Sequence, residues 1–155
     1  MTHRKLSIPM LLALAFVASL AASPANAAPN VGALAGTWEI TGTPQPTACG
    51  PAVPFTNLTS IGRNGEIVNV DPAVGIGVGE AYRTGPKVYA VGFFGFITPA
   101  PGIMLKYEVQ ANATLVNSGE FNGQFRTIVT DTAGVIPDCV FEGDIVAFRQ
   151  VPMPY

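Results

Sequence analysis

The chain has 155 residues, 48% of them hydrophobic and 12% charged, with a formal net charge of −2. That length suits one domain with one core, and the sparse, scattered positive charge excludes a nucleic-acid backbone as partner. One histidine, His3, and two cysteines, Cys49 and Cys139, narrow the chemistry further.

The first segment, Met1–Ala27, reads as a secretory signal peptide. Arg4 and Lys5 make the positive start, Leu11–Val17 is an unbroken apolar run, and Ala25-Asn26-Ala27 is a small-x-small cleavage site. The apolar run is shorter than the ~20 residues of a membrane span, and no cysteine follows it, so no membrane or lipid anchor is expected. The expected mature chain, 28–155, forms one domain in a secreted or periplasmic setting. It lacks histidine and carries six basic against ten acidic side chains. In an oxidising compartment Cys49 and Cys139 read as one disulfide. Without CxxC spacing or histidine, no metal site is expected and no cofactor is implied.

No helix-period stretch follows. Runs rich in Val, Ile, Thr, Tyr and Phe, punctuated by Gly, Pro and Asn, predict an all-β fold with eight strands near 35–43, 55–62, 66–70, 75–83, 87–96, 103–116, 120–131 and 139–150. Asn64-Gly65 marks a two-residue turn between the second and third strands, and Thr84-Gly85-Pro86 separates the fourth from the fifth. On the fourth, Glu80 shares an alternating face with Ile76, Val78 and Tyr82; the favoured facing turns it outward, with the glycines and Ala81 inside. The sixth and seventh strands alternate most clearly. A three-residue loop, Asn117-Ser118-Gly119, with Gly119 left-handed, pairs Val116 with Glu120. It sets Leu115 against Phe121, Ala111 against Phe125 and Tyr107 against Val129, so the two apolar faces coincide. The first, third, fifth and seventh connections carry the prolines, whereas the other three are short and polar. A sequential antiparallel meander of this kind fits a closed barrel or a two-sheet sandwich, and as a barrel it would have one tight end and one wide end.

Gly36-Thr37-Trp38 in the first strand and Arg149 near the end of the last resemble the Gly-x-Trp signature and its partner arginine in lipocalin-like (calycin-like) barrels. The chain is similar to small secreted bacterial barrels with a Gly-Thr-Trp start and an Arg-Thr-Gly turn, here Arg83-Thr84-Gly85. The resemblance implies an eight-stranded antiparallel up-and-down barrel in which Trp38 plugs the narrow end and Arg149 stacks on it. Paired residues of antiparallel strands have numbers that add to a constant. Trp38 with Arg149 gives 187 and Cys49 with Cys139 gives 188, so the register implied by the resemblance brings the cysteines together at the wide mouth.

The absence of histidine from the mature chain excludes Ser-His-Asp and Cys-His catalysis, and no phosphate loop is present. No catalytic residue is therefore assigned. The leading expectation is a barrel that binds a small apolar molecule. Tyr107, Val109, Ala111, Phe125 and Val129 would line it, and Phe94, Phe96, Ile103 and Leu105 would lie nearer the mouth. The alternatives are a protein partner, as in a periplasmic protease inhibitor using Ala28–Ala33 as a projecting extension, and a confinement-type isomerase or cyclase with Glu80 as a buried acid.

Overall fold

The computed structural model describes residues 31–134 and 137–151; the expected signal peptide, Met1–Ala27, lies outside them. Eight strands follow in order: β1 (Gly36–Pro44), β2 (Phe55–Ile61), β3 (Glu66–Asp71), β4 (Gly75–Gly85), β5 (Val88–Ala100), β6 (Ile103–Asn117), β7 (Glu120–Asp131) and β8 (Cys139–Arg149). Each pairs antiparallel with its neighbour in sequence, and β1 pairs with β8, which closes the barrel. Every strand lies where the alternation of residue types predicts it. The largest difference is β5, which continues past residue 96 to Ala100 before a two-residue turn leads into β6.

Because strand side chains alternate, one parity on each strand faces the interior. Trp38 and Ile40 of β1, Tyr89 and Val91 of β5, Phe121 and Phe125 of β7, and Ile145 and Ala147 of β8 form much of this core. The β6–β7 register is the expected one over its length, with Leu115 opposite Phe121 and Tyr107 opposite Val129. Its turn is different. Asn117, not Val116, pairs with Glu120, and a register shift at Val116 absorbs the extra residue. Gly119 is not left-handed. The Asn117 side chain makes the bend instead, its Oδ1 accepting a hydrogen bond from the Gly119 N–H at 2.8 Å. At the β2–β3 connection the chain does turn at Asn64-Gly65, with Gly65 at φ +97°, but the loop is one residue longer than a two-residue turn: the Gly62 N–H donates to Glu66 O at 2.9 Å and Ile61 pairs with Ile67.

Trp38 pairs with Arg149 across the β1–β8 seam. The indole is fully buried, donates to the Leu34 carbonyl at 2.7 Å and meets Phe121 edge-on at 4.9 Å between centroids. A turn at residues 31–35, with Val31 and Leu34 fully buried, folds under it and closes this end of the barrel. The Arg149 guanidinium lies 4.2 Å from the Trp38 ring centroid. It donates to Ser118 O at 2.7 Å, to Ala33 O at 2.8 Å and to Ala35 O. A side chain at Gly36 would collide with this guanidinium, which explains the glycine of Gly36-Thr37-Trp38.

At the other end, Cys49 in the β1–β2 connection and Cys139 at the start of β8 form a disulfide, Cα to Cα 5.8 Å. It fastens the proline-rich first connection to the opposite seam strand. The Gln45 N–H donates to Glu142 O at 2.7 Å and extends the same attachment.

Candidate functional site

The interior above the Trp38 plug is not filled. A cavity of about 480 Å³ runs from Ile61, Ala113 and Phe121 near the closed end to Pro51, Pro54 and Pro72 at the mouth. Pockets of a few hundred Å³ are the size range that accepts a small organic molecule. The cavity stays open because its wall residues are small where the strands are long. Ala111 and Ala113 on β6 border it, whereas the inward Gly77 and Gly79 of β4 do not, their space being taken by Tyr107, Phe93 and the β5 backbone.

The expected lining residues divide into two groups. Tyr107, Val109, Ala111, Phe125 and Val129 all border the cavity. Ile103 and Leu105 sit at the mouth end of β6, Ile103 at 37% exposure and Leu105 half-buried, and neither borders it. Phe94 and Phe96 face outward, at 43% and 50% exposure, with Lys106 over the Phe94 ring. The reason is parity. Gly77 pairs with Gly95 and Gly95 with Tyr107, so the odd residues of β5 take the interior and Phe93 lines the cavity in place of its neighbour Phe94. Glu80 lies exposed on the outer face, as the favoured facing of β4 has it, so the acid imagined for a confinement-type reaction is not in the cavity. Of the extension Ala28–Ala33, residues 28–30 lie outside the described residues, and Val31 is packed into the closed end instead of projecting.

The residue reading did not find the polar part of the wall. Asn57 and Thr59 on β2 and Asn69 on β3 point inward, all at most 7% exposed, while Leu58, Val68 and Val70 between them face out. Thr59 pairs directly with Asn69. Asn69 Nδ2 donates to Thr59 Oγ1 at 2.8 Å, and the same hydroxyl donates to Asn57 Oδ1 at 3.3 Å. Neither bond uses Asn57 Nδ2 or Asn69 Oδ1. A two-residue turn at Asn64-Gly65 would set Ile61 against Val68 and Thr59 against Val70; the observed turn is one residue longer, pairs Ile61 with Ile67 and so places Thr59 against Asn69 on the inner face.

Tyr107 closes this polar stretch. Its phenol lies against Gly77 and Gly95, whose missing side chains make room for it, Oη 3.0 Å from where a Cβ on Gly77 would stand. Phe93 meets its ring edge-on at 6.5 Å. The residue is 4% exposed, and its hydroxyl has no hydrogen-bond partner among the described residues. Burial, and secondarily the negative charge of Asp71, push the phenol above its ordinary pKa. Asp71 is the single charged residue lining the cavity, and its Oδ1 accepts from the Ala73 and Val74 N–H groups at 2.8 and 3.3 Å. Among the described residues no cluster of His, Cys, Asp or Glu is arranged to hold a metal ion.

No known protein family matches the sequence, and no curated protein matches it. Among solved structures the chain is similar to a redesigned β-barrel, with a TM-score of 0.31 and 14% identity over 79% of this chain and 95% of that one. So faint a likeness carries no weight for function, and the closed ladder of strand pairs establishes the barrel independently.

Proposed function

We propose that this barrel is a carrier that holds a small, mainly apolar molecule, in a secreted or periplasmic setting. The observation that carries the reading is the cavity of about 480 Å³, open at one end and walled largely by aliphatic and aromatic side chains. The disulfide is consistent with an oxidising compartment. The Gly36-Thr37-Trp38 start, with Arg149 stacked on the indole, supports kinship with lipocalin-like barrels.

Titration with the neutral fluorophore N-phenyl-1-naphthylamine tests the reading. Wild-type protein is expected to give a saturable rise in emission. Ala111→Phe and Val109→Trp, which put bulk into the cavity, should weaken it at least tenfold while the protein still melts cooperatively. Equal affinity in wild type and both variants would place the dye on the exposed apolar residues of β2–β5, among them Leu58, Val78 and Phe94, and overturn the carrier reading.

A further inference from the structure

The cavity wall is chemically divided. Val109, Ala111, Phe125 and Val129 give β6 and β7 an apolar side. Opposite in the barrel order, β2 and β3 present Asn57, Thr59 and Asn69, buried and joined by hydrogen bonds. Pairing places Thr59, Asn69, Gly77, Gly95 and Tyr107 on successive strands in one row. The two glycines between Asn69 and Tyr107 are where the phenol lies down, so its hydroxyl is carried toward the polar strands. Tyr107 is buried, and leaving its hydroxyl without a protein partner costs on the order of 1–3 kcal/mol unless something else accepts its proton. No arginine or lysine lines the cavity, and Asp71 supplies its one formal charge.

We infer that the cavity is built for a neutral amphiphile: an apolar body bearing an uncharged oxygen acceptor, such as a ketone or ester carbonyl, that takes a hydrogen bond from the Tyr107 hydroxyl. The inference rests on the carrier reading and adds the ligand's polarity to it. A carboxylate is disfavoured because it would enter without a cation to pair with and with Asp71 on the same wall. An acceptor is preferred over a bare hydrocarbon because it satisfies the phenol. Asn69 pairs with Gly77, the glycine against which the phenol oxygen lies, and is joined through Thr59 to Asn57 on the same wall.

Displacement of N-phenyl-1-naphthylamine from the oxidised protein at pH 8 tests this, with three competitors sharing an undecyl tail. These are 2-tridecanone, its methylene isostere 2-methyl-1-tridecene, and dodecanoate. The ketone is expected to bind roughly three- to tenfold more tightly than the alkene, the worth of one neutral hydrogen bond. Dodecanoate should bind at least tenfold more weakly than the ketone. Tyr107→Phe should abolish the preference for the ketone over the alkene. If ketone and alkene bind alike in wild type, if the preference survives in Tyr107→Phe, or if dodecanoate binds best, the neutral-amphiphile inference is overturned while the carrier reading stands. If neither the dye nor any competitor enters, the carrier reading falls and the inference falls with it.

Discussion

Tyr107 and Arg149 are two polar side chains whose surroundings differ in one respect. The Arg149 guanidinium is met by three backbone carbonyls and an indole face, so its charge is compensated in the folded protein alone. The Tyr107 hydroxyl is buried beside Phe93 and two glycines and is not hydrogen-bonded by any described group. This difference has a pH signature. The folded phenol sits above the ordinary value of 10.0, chiefly through burial, whereas the unfolded phenol ionises near it. Below pH 10 both states hold the proton and the residue adds no pH dependence. As pH rises past 10, the unfolded state loses the proton first and stability falls. Tyr107→Phe removes that term. Chemical denaturation of both proteins from pH 7 to 11 should therefore show the variant equal to or up to about 1 kcal/mol more stable at neutrality, with its advantage growing above pH 10. Parallel curves over the whole range would show that the phenol is not buried as described.

At the scale of single strands, β4 and β5 show what alternation can and cannot carry. β6 and β7 place polar and apolar residues on opposite faces, so their register and facing were readable from residue types alone. β4 carries Ile76, Val78 and Tyr82 on one parity and glycines on the other, and β5 has aromatic residues on both, at Phe93 and Phe94. Hydrophobicity alone would put the bulky parity of β4 inside. Close approach decides the opposite: a Cβ at Gly79 would strike the Gly92 carbonyl and the Phe93 backbone. Gly79→Ala is therefore expected to destabilise the protein by about 1–3 kcal/mol. At Gly92, which lies opposite Glu80, the nearest atom to an added Cβ is the Val109 carbonyl oxygen at 3.9 Å. Gly92→Ala should be neutral or stabilise by up to about 1 kcal/mol through the unfolded chain. Urea midpoints distinguish the two, and equal midpoints would contradict the facing of β4. The polar stretch at Asn57, Thr59 and Asn69 escaped the residue reading for a related reason. Buried polar residues beside exposed Leu58 and Val68 reverse the expected sense of an alternating strand, and turn-fixed register places them where hydropathy does not.

For the whole molecule, the seam between β1 and β8 sets both ends of the barrel. The Trp38–Arg149 pair at one end and Cys49–Cys139 at the other follow from one register, which is why a tryptophan signature, an arginine and two cysteines sufficed to anticipate the closure. The cavity's volume and its polar wall were not legible in the same way, because they depend on how far long side chains reach across the interior. The disulfide spans a sequence separation of 90 residues, and chain-entropy reasoning gives such a cross-link about 4–5 kcal/mol of stabilisation. Reduction, or the Cys49→Ser/Cys139→Ser double variant, should lower the unfolding free energy by about that amount in denaturant titrations. A change below about 1 kcal/mol would mean that the β1–β2 connection is held in place by its other contacts.

The Trp38 plug has a practical consequence. β1 leaves the plugged end and β8 returns to it, so Val31 and Val151, the outermost described residues, both lie on the side away from the opening. A protein immobilised or fused through either position would present its mouth to the surrounding solution, and a partner attached there would not stand in the path of a molecule entering or leaving.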